Sequence, residues 1–149
     1  MAAILFLAPD DLGEAVLATG ALAHVLGEVG QLVVVCPAEA RPLFRAAPGL
    51  VAMHDLPARA GFLPLLRVRR ELARVYVSQL IDARGGWLGK SVAAPRRIVL
   101  TPAPVLRHRA EDWAEAVGAD RPLAPKLWID ALARRRADAL PEGPIIALA

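Results

Sequence analysis

The chain has 149 residues, of which 56% are hydrophobic and 22% charged, a balance that excludes disorder and suits one compact domain better than two. Eighteen basic residues against fifteen acidic ones leave a formal charge of +3, and no run of like charges marks a nucleic-acid-binding tail. Cys36 is the only cysteine, so an intrachain disulfide and a cysteine-built zinc site are both excluded, and aromatic residues at 5% require an aliphatic core.

The apolar N-terminus lacks a basic leader, and Pro9, Asp10 and Asp11 cut it short, which makes it a poor signal peptide. No apolar stretch reaches the roughly 20 residues of a spanning helix. Ile4–Leu7 is a continuous apolar run, the pattern of a buried parallel strand. After the loop Pro9–Gly13, the stretch Glu14–Glu28 reads as a helix, with acidic Glu14 at the positive end of its dipole. Leu32–Val35 reads as a second buried strand, and Pro37 opens a short helix to about Arg45. Val51–His54 is a weaker strand, Leu63–Ala73 an amphipathic helix, and Val75–Ile81 a strand that ends at Asp82. A Gly-rich turn over Arg84–Gly89 leads into a short helix, Lys90–Ala94, stopped by Pro95. Ile98–Leu100 is the fifth strand, and Arg109–Val117 and Ala131–Leu140 are helices, the latter carrying Arg134-Arg135-Arg136. Pro144–Ala149 reads as the start of another buried strand, which makes residues 1–143 one domain and 144–149 the beginning of a second.

Five alternations of strand and helix predict an α/β fold, a Rossmann-like parallel sheet with helices on both faces, because parallel strands need crossover connections. Ligands of such sheets bind beyond the carboxyl ends of the strands. That rule points to three loops, 8–13, 82–89 and 101–109. In the first, Asp10, Asp11 and Glu14 put three carboxylates within five residues around Gly13. They suit either a general base and polar clamp or an ordinary helix cap with an acidic first turn. Neither G-x-G-x-x-G nor a P-loop is present. In the second loop, Arg84, Gly85, Gly86, Lys90 and Ser91 could receive an anion at a helix N-terminus, or form a plain flexible turn. In the third, His108 could hydrogen-bond a sugar or phosphate, although a surface histidine at a helix start is the commoner case. His24 and His54 lack partners in metal spacing and read as structural, and no metal site is expected. The arginine triplet reads as a solvated helix face, with contact to an anionic membrane face the weaker reading.

Taken together, these segments resemble the N-terminal domain of the bacterial lipopolysaccharide heptosyltransferases, glycosyltransferase family 9, which have the two-domain GT-B fold. The resemblance rests on Ile4–Leu7 followed by Gly13-Glu14 and Ala18-Thr-Gly-Ala-Leu22, on Ile81-Asp82 followed by Gly85-Gly86 and Lys90-Ser91, on Ala94-Pro-Arg-Arg-Ile98, and on His108 with Glu111. It implies an acceptor-binding half that takes a saccharide or glycolipid. The nucleotide-sugar donor, ADP-heptose-like, would be held by a C-terminal domain, so this half alone would be inactive. It further implies inverting transfer without a required metal or other cofactor, and a cytoplasmic protein that touches the inner membrane peripherally at most. Glu14 falls on the family's general-base aspartate, and Asp10, Asp11, Gly13, Arg84, Lys90, Ser91 and His108 fall around the acceptor. The first loop is acidic, and an acidic loop repels a phosphorylated acceptor. Two other readings remain beside this one. A phospho-receiver-type signalling module would use the acids after the first strand together with Asp82. A non-catalytic saccharide-binding domain would keep the cleft without the chemistry.

Overall fold

A computed structural model describes residues 3–27, 30–100 and 108–139. Five strands, β1 (Ala3–Leu7), β2 (Gln31–Cys36), β3 (Leu50–Asp55), β4 (Val77–Asp82) and β5 (Arg96–Val99), form one sheet in the order β3-β2-β1-β4-β5. Every pairing is parallel. The sequence therefore predicts the fold class correctly. β1 is wholly buried at the centre, and β2 nearly so, which is why both read as unbroken apolar runs. The edge strands β3 and β5 are only partly covered, and their polar residues show it.

The helices are α1 (Leu12–Leu26), α2 (Arg41–Phe44) preceded by a 3₁₀ turn at Ala38–Ala40, α3 (Phe62–Leu72), α4 (Trp87–Ser91), α5 (Arg109–Val117) and α6 (Ala131–Asp138). Side chains alternate across β1 and divide the core in two. Ile4, Phe6 and Ala8 pack with Leu22 of α1, Phe44 of α2 and Trp113 of α5 on one face. Ala3, Leu5 and Leu7 pack with Val68 and Leu72 of α3 and Leu88 of α4 on the other. The chain runs outward from β1 through β2 to β3, then returns past β1 to β4 and β5. That reversal is a topological switch point between β1 and β4, and Leu7 pairs there with Asp82.

Several boundaries differ from the sequence expectation. Helix α1 begins at Leu12 because Asp11 caps it, its Oδ1 accepting from the Glu14 amide at 2.9 Å. Strand β4 begins at Val77 rather than Val75, since α3 unwinds through bonds from Arg74 N–H to Glu71 O and Val75 N–H to Leu72 O. Strand β5 starts at Arg96, whose pairing with Gln79 an apolar run cannot reveal. The Arg97 guanidinium donates to the carbonyls of Gly89 and Val92, closing the end of α4. The expected strand at 144–149, and with it the domain boundary, lies outside the described residues, as does most of the loop 101–109.

The Ala18–Leu22 segment has a structural role that its sequence does not announce. An extended stretch after α5 crosses α1 at this point. The amide of Lys126 donates to the buried Thr19 hydroxyl at 2.9 Å, and a Cβ on Gly20 would overlap the Ala124 carbonyl. At the far end of the crossing, Asp130 caps α6 and pairs with Arg45 at 2.7 Å. Gly20→Ala should therefore destabilise the fold by about 1–3 kcal/mol through overpacking, although alanine is the better helix former by roughly 1 kcal/mol. Chemical denaturation of the two proteins gives the sign.

Candidate functional site

The carboxyl ends of β1, β2 and β3 surround a cavity of about 400 Å³. Its walls come from Asp10 and Leu12 after β1, Pro37 and Glu39 after β2, and Pro57 and Ala58 after β3. Beneath it sits Arg84, whose side chain is only 7% exposed although it follows β4. The guanidinium reaches across the switch point. Nη2 lies 2.8 Å from Asp10 Oδ1, Nη1 donates to the Leu56 carbonyl at 3.0 Å, and a further N–H reaches the Pro57 carbonyl. Burial raises the Asp10 carboxyl above its ordinary value, and the Arg84 charge opposes that rise.

Cys36 ends β2 near this cluster. It is fully buried, and burial with the Asp55 charge pushes its thiol up to about 11, against the opposing pull of Arg41 and Arg84. It is a packing residue, not a nucleophile.

Asp82, at the end of β4, is 3% exposed. Its Oδ1 accepts from the amides of Gly85 at 2.8 Å and Arg84 at 3.2 Å. The other carboxylate oxygen packs on Gly89, where any Cβ would collide with it. The Arg84 and Gly85 amides are thus taken by a carboxylate of the protein itself. A buried, doubly bonded Asp82 is also not presented for phosphorylation, which removes the geometric basis of a receiver-type module.

The helix that follows this turn begins earlier than the sequence suggests. Lys90 and Ser91, expected at a helix N-terminus, stand in the last turn of α4, which starts three residues earlier at Trp87. Ser91 Oγ donates to the Leu88 carbonyl at 2.8 Å, its own carbonyl accepts from Arg69 Nε, and Lys90 is exposed. Neither lines the cavity.

Glu14 projects from the first turn of α1 toward α5, on the face of the sheet opposite α4. Both of its carboxylate oxygens lie 3.0 Å from Arg109 Nε, and Arg109 Nη1 also approaches Asp112 at 3.5 Å. The hydrogen bond that Arg109 donates to Glu14 is the main cause that raises the Arg109 pKa above its ordinary value. Glu14 remains 28% exposed. His108 caps α5, Nδ1 accepting from the Ala110 amide at 3.2 Å. Gly13 sits under the Asp11 cap, where an added Cβ would stand 3.2 Å from Asp11 Oδ1.

The structure therefore splits the sequence-derived site residues into groups. Asp10 and Arg84 meet at the cavity. Asp11 and Gly13 build the α1 cap. Glu14 and His108 gather at the α1–α5 junction, and Lys90 and Ser91 stand apart on α4. Sequence reasoning passed over Glu39 and the loops after β2 and β3, which supply most of the cavity wall, and over Arg109 as the partner of Glu14. Among the described residues no group of three or more His, Cys, Asp or Glu side chains could hold a metal ion, and no helix is long and apolar enough to cross a membrane.

No protein-family profile matches the sequence, and neither does any curated protein. The fold is matched by the crystal structure of a glycosyl transferase family 9 protein from Veillonella parvula DSM 2008, with a TM-score of 0.73 and 15% identity. The match covers 91% of this chain and 47% of that one, so the chain spans about half the length of its structural neighbour. At this identity the likeness is one of fold.

Two outcomes follow from the geometry. Arg84→Met strips Asp10 and two carbonyls of their donor and should cost about 1–3 kcal/mol, read as a lowered thermal midpoint. The Cys36 thiol should resist iodoacetamide at pH 8 in the native protein and react once denaturant unfolds it.

Proposed function

We propose that this chain is the acceptor-binding half of a glycosyltransferase. The observation that carries the reading is the cavity at the carboxyl ends of β1, β2 and β3, beside the switch point of a sheet whose fold matches a glycosyl transferase family 9 structure. The sequence motifs support the finer form of the proposal. In that form, a saccharide or glycolipid acceptor of lipopolysaccharide type enters here, and a nucleotide-sugar donor of ADP-heptose type binds a second half. Transfer then proceeds with inversion and without a required metal or cofactor, in the cytoplasm or at the inner face of the membrane.

Inversion needs one carboxylate to take the proton from the attacking hydroxyl as its oxygen bonds to the anomeric carbon and the nucleotide departs. The family resemblance assigns that task to Glu14, with Arg109 fixing the carboxylate in orientation. Arg84 would act by positioning the cavity wall through Asp10, and His108 by shaping the start of α5. Lys90 and Ser91 would reach the acceptor only if it extends over α4. A second reading gives the base to Asp10. It is favoured by a specific observation, since Asp10 lines the cavity with its pKa raised by burial and Glu14 does not line it.

In the intact protein, assayed with ADP-heptose and lipopolysaccharide-core acceptors, Glu14→Gln should lower kcat by about 100- to 10,000-fold while the far-UV circular dichroism spectrum stays unchanged. A loss of that size in Asp10→Asn with Glu14→Gln near wild type transfers the base to Asp10. Full activity in both variants refutes a carboxylate base from this loop.

A further inference from the structure

We propose that the acceptor taken by this cavity is a saccharide bearing no phosphate at the bound ring, held by hydroxyl groups that donate to Asp10 and Glu39. This rests on the acceptor-binding reading above and adds the charge class of the ligand.

The argument comes from where the donors at this edge of the sheet are spent. An anionic ligand at the carboxyl end of a parallel sheet is ordinarily met by an arginine, a helix N-terminus or a glycine-turn amide. Here Arg84, Arg109, the α1 N-terminus and the first two amides of the glycine turn are each matched to an internal carboxylate. Arg84 is consumed by Asp10 and two carbonyls. The α1 N-terminus is capped by Asp11. The amides of Arg84 and Gly85 are held by Asp82. Arg109, on the far side of α1, is held by Glu14.

The cavity wall itself contains two acids, Asp10 and Glu39, and among the described residues no lysine, arginine or histidine. A phosphate entering it would meet the Glu39 carboxylate and an Asp10 whose counter-ion, Arg84, is already committed, with no basic side chain in the wall. A neutral sugar would meet two acceptors for its hydroxyls and the apolar surfaces of Leu12, Pro37 and Pro57 for its ring faces. Glu39 is exposed on the 3₁₀ turn, so its charge can be changed without disturbing the core.

The test is a nuclear magnetic resonance titration of the protein with methyl α-mannoside and, separately, mannose 6-phosphate. The neutral glycoside should shift the amides of Ala38, Glu39 and Ala58, and the phosphate should bind there about tenfold more weakly or less. Glu39→Lys should narrow or reverse that ranking. Equal or tighter binding of mannose 6-phosphate at these amides in the wild type overturns the charge class and leaves the acceptor-site reading standing. Shifts at these amides with neither sugar overturn the cavity as a saccharide site, and this inference with it.

Discussion

Arg84 belongs to the turn after β4, yet its guanidinium ends beneath the loops that follow β1 and β3. One side chain thereby ties together loops from the two arms of the sheet that diverge at the switch point. A buried guanidinium is tolerable only when its donors are satisfied. Asp10 and the two carbonyls meet that demand, and in doing so fix the floor and two walls of the cavity. Asp82 completes the arrangement by holding the amide of Arg84 itself. The shape of the carboxyl edge thus follows from the need to satisfy one buried cation.

The same logic explains why the edge looks acidic in sequence but behaves differently residue by residue. Asp11 is a helix cap, Asp82 a turn clamp, Asp10 the counter-ion of Arg84, and Glu14 that of Arg109. Four carboxylates that resemble a catalytic cluster on paper are distributed over four structural tasks. Those tasks do not exclude chemistry, since Asp10 still lines the cavity and Glu14 remains partly exposed. They do mean that each would have to work while keeping its partner in place.

The opposite arm of the molecule is organised by close backbone approach rather than by charge. Thr19 and Gly20 form a shallow notch in α1 through which the 119–130 segment passes, and Asp130 secures its end against Arg45. The Thr-Gly-Ala-Leu stretch contributes to the family resemblance, but its visible role in this protein is to let that segment cross.

The α/β class, the five strands and the helices over them were legible in the sequence because hydrophobic periodicity is a local property. Unbroken apolar runs at Ile4–Leu7 and Leu32–Val35 can only be buried on both sides. The position of the 8–13 loop at the carboxyl end of the central strand was legible for the same reason, since it follows the most apolar run. The strand order was not legible. Placement of β4 beside β1 depends on the crossover past two strands, and only that placement brings Arg84 to Asp10. The start of α4 at Trp87, directly after Gly86 in a positive-φ conformation, was not legible either. The pairing of Glu14 with Arg109 joins residues 95 positions apart, and the cavity draws on loops after β2 and β3 that carry no motif. Local pattern fixed which segments are strands and helices, whereas the site is made of long-range ion pairs that exist only once the sheet has closed.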